Sequence, residues 1–130
     1  MLVIDASVAF RYAVSVGGYD SLTPHGPIAP PLMWSEALSS LHEAHWRGEA
    51  SAELTVAAID RLLVAPIERD VAPDLYAEAR RVAMMLGWAK TYDAEYVALA
   101  RLRDCPLVSV DARLQRGAGH LARIIAPADL

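Results

Sequence analysis

The chain has 130 residues, 55% of them hydrophobic, enough to bury one core and too few for two ordinary domains. Its formal charge is −4, with eleven arginines and the single lysine Lys90 against sixteen acids, the wrong sign for a protein that grips phosphate backbones over its whole surface. No apolar run reaches the ~18 residues of a membrane span, no basic stretch precedes an apolar leader, and the lone Cys105 can form no internal disulfide, so a cytoplasmic, single-domain protein (1–130) is expected.

Leu2 to Ile4 reads as a strand that ends at Asp5, and Ser7 to Val14 as an apolar helix with Arg11 exposed. Residues 15–30 collect Gly17, Gly18, Pro24, Gly26, Pro27 and Pro30, which predicts a long ordered loop with one helical turn near Tyr19 to Leu22. Pro31 opens a helix that runs to Trp46 and stops near Gly48; Ser51 caps a second one through Val64. Pro66 to Val71 gives a weak strand, Pro73 to Leu86 a helix closed by Gly87, and Thr91 to Arg103 a further helix. Leu107 to Val110 is a strand ending in Asp111, and Ala122 to Ala126 a last edge strand. Strands separated by helices imply a central parallel sheet flanked by helices, an α/β fold in three layers.

Charge is uneven along this frame. Residues 35–87 hold nine acids and five bases, whereas residues 88–130 hold six bases and five acids, so a phosphate-facing surface is expected mostly in the C-terminal third.

In an open parallel sheet, ligands gather at the carboxyl ends of the strands. Two strands here end in aspartate, at Asp5 and Asp111. Each of these also precedes a helical stretch, so an N-cap accounts equally well for either one alone. Asp93, at about 100° per residue, falls on the helix face of Tyr96, Val97 and Ala100, where a charge needs a partner; a favourable placement against the helix dipole is the plainer alternative. Glu36 projects about 60° outside the arc of Met33, Trp34, Ala37, Leu38, Leu41 and Ala44, which by itself predicts a rim or solvent position. Two carboxylates ~4 Å apart repel by about 4 kcal/mol at an effective dielectric near 20, a cost that a divalent cation removes. Oxygen-only donors, with no Cys or His set at zinc spacing, point to Mg²⁺ or Mn²⁺, ions that activate water against a phosphodiester.

Four segments carry a resemblance: Val3-Ile4-Asp5-Ala6-Ser7-Val8, Trp34-Ser35-Glu36-Ala37-Leu38, the run Thr91-Tyr92-Asp93-Ala94-Glu95-Tyr96 continuing to Ala100, and Leu107-Val108-Ser109-Val110-Asp111-Ala112-Arg113-Leu114. In order and spacing they resemble the PIN-domain family, and within it the VapC-type toxin branch. The resemblance implies Mg²⁺ or Mn²⁺ dependent cleavage of RNA, with Asp5, Glu36, Asp93 and Asp111 as metal ligands, Ser109 supporting them and Ser7 a looser candidate. It also implies a homodimer silenced by a VapB-type antitoxin. No family motif matches residues 15–30.

Arg113, Arg116, Lys90 and Arg11 are candidates to hold substrate phosphates, with plain surface positions as the alternative. His42 and His45 share a helix, His45 on the side of Trp34, Leu38 and Leu41, and read as structural. Trp46, Trp88 and Tyr92 are candidates for stacking on bases or for packing, and Gly117-Ala118-Gly119 reads as a turn. Two rival functions keep the fold: a metal-dependent phosphohydrolase of small phosphate esters, which lacks support because Ser7 stands where haloacid-dehalogenase phosphatases carry a second aspartate, and a non-catalytic module that binds RNA or protein.

Overall fold

The computed structural model describes all 130 residues. In chain order it contains β1 (Leu2–Ile4), α1 (Ala6–Ala13), a short 3-10 turn (Thr23–His25), β2 (Pro27–Ala29), α2 (Leu32–Trp46) and α3 (Ala52–Leu63). These are followed by β3 (Glu68–Arg69), α4 (Leu75–Leu86), α5 (Tyr92–Arg103), β4 (Leu107–Val108), α6 (Ala112–Ala118), β5 (Ile124–Ile125) and a closing 3-10 turn (Pro127–Asp129). All five strands pair in parallel in the order β3-β2-β1-β4-β5. The fold is the expected α/β architecture. No helix is long and apolar enough to cross a membrane.

Local chemistry sets the element ends. Ser51 caps α3 by accepting from the backbone N–H of Leu54 at 3.1 Å, and α4 stops where Gly87 turns left-handed at φ +68, a conformation that glycine adopts without the Cβ penalty. Helices α1, α2 and α3 pack on one another, while α4 lies along α5, which in turn rests on β1 and β4. Helix α5 is buried on all sides from Ala94 to Ala100, as expected of a helix wedged between a sheet and a neighbour.

Two expectations need correction. Within the supposed loop 15–30, Pro27–Ala29 forms β2, a buried strand between β1 and β3. Pro27 is tolerated there because it stands at the first position of the strand, where no ladder N–H is lost from its middle. The rest of the loop is tied down: Tyr19 donates its hydroxyl to the Ala9 carbonyl at 2.7 Å, and Arg61 donates to the carbonyls of Ala13 and Ser15. Gly117 and Ala118 are not a turn either but the last residues of α6, since Ala118 is buried against the core.

Two buried acids, Asp70 just after β3 and Glu78 in α4, are neutralised by arginine. Arg103, closing α5, holds Asp70 with two hydrogen bonds of 2.8 and 2.7 Å. Glu78 in α4 is held by Arg81 and Arg101.

Because Leu99 is fully buried in α5, Leu99→Ala is expected to lower unfolding free energy by about 2–5 kcal/mol. Leu63→Ala, on the open side of α3, is expected to change it by less than about 0.5 kcal/mol. Urea denaturation followed by circular dichroism measures both.

Candidate functional site

The strand order reverses direction at β1, since β2 lies on one side of it and β4 on the other. Such a switch point opens a crevice at the carboxyl ends of the two adjacent strands. Asp5 follows β1 and is 7% exposed. Its Oδ1 accepts from the Ser7 hydroxyl at 2.5 Å and from the Val8 backbone N–H at 3.1 Å. The Ser7 oxygen also accepts from the backbone N–H of Val110 across the crevice at 3.4 Å. Burial pushes the Asp5 carboxyl above the usual carboxylate range, against the opposing pull of hydroxyls from Ser109 and Ser7. Ser109 thereby serves both strands, since its oxygen accepts from the Asp111 backbone N–H at 3.0 Å.

Asp111 caps α6 by accepting from the Arg113 N–H at 2.9 Å, just as Asp5 caps α1. Capping and a place at the strand ends are therefore not alternatives. Both caps use Oδ1, which leaves the second carboxylate oxygen outside the cap.

Glu36 comes from α2 and is half-buried. The Tyr96 hydroxyl of α5 donates to its Oε1 at 2.5 Å. Burial raises the Glu36 pKa, the tyrosine bond opposes this, and the charges of Asp93 and Asp5 raise it further. Asp93, in the first turn of α5, is raised by partial desolvation and then by the charges of Asp111 and Asp5, with Arg113 pulling the other way. All four predicted acids thus share one electrostatic neighbourhood. The expected reason for Asp93 needs correction, however: its side chain is exposed, and because α5 is buried all round beyond it, no single buried face exists to select it.

Sequence reasoning missed two neighbours. Glu95 is 8% exposed, and its pKa is raised by burial and by the charge of Glu36. The signal was available, because a run as uniformly apolar as Ala94 to Ala100 belongs to a fully buried helix, and any charge inside it is buried too. Tyr96 looked like ordinary core, and its hydroxyl partner lies sixty positions away in sequence.

The cationic candidates separate. Lys90 lines a pocket of about 600 Å³ together with Glu36, Asp93, Trp88 and Tyr92. Arg113 is largely exposed with Nε 3.5 Å from Asp111. Arg11 borders a different cleft, of about 510 Å³, shared with Ser7, Glu43 and Arg47, and Arg116 is exposed and joined to none of the acids. His42 and His45 are both exposed. The apolar arc expected around His45 is thus broken, since Leu38 is exposed as well, while His42 stacks on Trp46.

No three His, Cys, Asp or Glu side chains converge closely enough to hold a metal ion unaided. The donors nonetheless suit a hard divalent cation by chemistry and charge. They are oxygen-only, they repel one another, and Mg²⁺ is usually held by one or two carboxylates with water and substrate phosphate completing its shell.

The family model described as PIN domain matches residues 2–119. The chain belongs to the PIN-domain family. Its fold is similar to that of PAE2754 from Pyrobaculum aerophilum, with a TM-score of 0.77 and 23% identity over 98% of this chain and 91% of the other. VapBC2 from Rickettsia felis, solved bound to a DNA fragment from its promoter, matches with a TM-score of 0.66 and 10% identity over 97% of this chain and 98% of the other. FitAcB from Neisseria gonorrhoeae gives 0.60 and 15%, over 97% and 96%. No curated protein matches the sequence. In this PIN domain the acids at the switch point contrast with Asp70 and Glu78, because none of Asp5, Glu36 and Asp93 forms an ion pair.

A raised carboxylate pKa has a definite sign in stability. The folded state holds protons that the unfolded chain has released, so stability is lost as pH rises from the ordinary carboxylate range through the raised folded values. Asp93→Asn in metal-free protein is therefore expected to be as stable as the parent or more so at pH 8, by the ~0.2–1 kcal/mol typical of exposed charge pairs. That margin is expected to vanish near pH 4. Urea melts in EDTA at both pH values check it; a variant clearly less stable at pH 8 contradicts it.

Proposed function

We propose that this chain is a Mg²⁺ or Mn²⁺ dependent ribonuclease and the toxin of a toxin-antitoxin pair. The observation that carries the reading is the grouping of Asp5, Glu36 and Asp93 at the switch point, none with an arginine partner, whereas buried Asp70 and Glu78 are each held by arginine. PIN domains are generally nucleases, and the likeness to VapBC2 and FitAcB supports a VapB-type antitoxin as partner. A homodimer and a cytoplasmic location belong to the same reading.

When bound, the ion would supply an activated water and neutralise charge on the phosphodiester. The residues that would hold it are Asp5, Glu36, Asp93 and Asp111. Ser7 and the Val8 N–H fix one oxygen of Asp5, which leaves that carboxylate little rotational freedom. Tyr96 fixes one oxygen of Glu36 in the same manner. Preorganised ligands of this kind do not have to be ordered at each turnover. Lys90 and Arg113, at the border of the acids, offer positive charge to the phosphates on either side of the scissile bond. The chain's net charge of −4 disfavours phosphate contact over the surface as a whole.

Antitoxin-free protein incubated with single-stranded RNA and Mg²⁺ is expected to release fragments, and excess EDTA to stop it. Asp5→Asn and Asp93→Asn are each expected to lower the rate by about 100-fold or more. Equal cleavage by either variant, or by the parent in EDTA, refutes the assignment. Tyr96→Phe is expected to cost about 10–100-fold at limiting Mg²⁺ and to recover as Mg²⁺ is raised, which a rate measured across an ion titration reveals.

A further inference from the structure

The acidic pocket has a second kind of lining that ion chemistry does not use. Trp88, Lys90 and Tyr92 form the corner between α4 and α5 and border the same cavity of about 600 Å³ as Glu36 and Asp93. That volume falls within the range of sites that enclose small ligands. The corner is built to hold its shape. Gly87 takes the left-handed conformation at φ +68, and the Trp88 backbone N–H donates back to the Ala83 carbonyl at 2.9 Å. Gly117 of α6 faces the indole, with the site of its missing Cβ 3.6 Å from the Trp88 ring. Trp88 is half-buried and packed against the core. Tyr92 differs: it is 54% exposed and joins neither of the aromatic pairs in the structure. No hydrogen bond holds its hydroxyl, although Tyr19 and Tyr96 both donate theirs.

One cavity thus combines a fixed indole, an open phenol ring, a single ammonium and two carboxylates. A bare phosphate uses the ammonium and ignores the rings. A nucleotide uses the rings as well: the uncharged base lies on an aromatic face while its phosphate meets Lys90. We propose that this pocket seats one unpaired nucleobase of the RNA strand beside the phosphate that is cut, with Tyr92 as its stacking platform. A base within a duplex has both faces covered by its neighbours, so only an unstacked base can enter. This inference rests on the ribonuclease reading and names Tyr92 as a residue that positions its substrate.

The test uses a fluorescein-labelled single-stranded hexaribonucleotide in Mg²⁺ buffer. Binding is read by anisotropy in the Asp5→Asn background, which prevents turnover, and cleavage kinetics are read with Asp5 intact. Tyr92→Ala is expected to weaken binding about 10-fold, the usual order for loss of a base-aromatic stack, and to raise KM with little change in kcat. Tyr92→Phe is expected to restore both, and the same sequence annealed into a duplex is expected to bind more weakly than the single strand. Equal affinity and KM for wild type and Tyr92→Ala overturn the proposal while leaving the nuclease reading intact. Binding of an arginine-rich peptide that depends on Tyr92, without such dependence for the oligonucleotide, assigns the pocket to protein and overturns it too. If Asp5→Asn cleaves like its parent, the nuclease reading falls and takes the subsite with it.

Discussion

Mutual repulsion among carboxylates at the switch point is the constraint around which the rest of the structure is arranged. Like charges in a partly desolvated crevice raise the free energy of the folded state, and proteins ordinarily answer with a base, as Arg103 answers Asp70 and Arg101 answers Glu78. At Asp5 and Glu36 the fold supplies no base and instead uses neutral donors: the hydroxyls of Ser7 and Tyr96 and the backbone N–H of Val8. Such donors orient a carboxylate without cancelling its charge. The charge therefore remains available to a diffusible cation.

Parallel topology makes the convergence possible. Asp5 and Asp111 are more than a hundred residues apart, yet β1 and β4 are neighbours in register, Ile4 opposite Val108, which brings their exits side by side. Helix α5 then delivers Asp93 from its first turn and Tyr96 one turn later, so a single rigid element carries both an acid and the residue that orients Glu36 on α2. The helix can bear this because it is locked by its burial from Ala94 to Ala100. Stability and site geometry thus share one element.

Much of this was legible in the residues themselves. Strands ending in Asp5 and Asp111, the Ser51 cap and the Gly87 stop are local signals whose physics acts within a few positions. Strand β2 was hidden because three residues are too few to show alternation, and Pro27 and Pro30 around them carry the chemistry of a loop. Glu36 pointed away from the apolar arc of its own helix, so only its partner on α5 places it in the crevice. Asp93 is in the crevice for a reason other than helical periodicity, namely its place at the mouth of a helix buried on all sides. Glu95 and Tyr96 show the same limit, since what a buried polar group faces is decided by tertiary packing that spacing along one helix does not encode.

The central claim, that these acids form a site for a hard divalent ion, is tested most directly by calorimetric titration of Mn²⁺ into metal-free protein in two buffers of different ionisation enthalpy. Raised carboxylate pKa values predict binding accompanied by proton release on the acid side of neutrality, weakened at least 10-fold in Asp5→Asn. Absence of binding, or binding of equal strength in that variant, contradicts it.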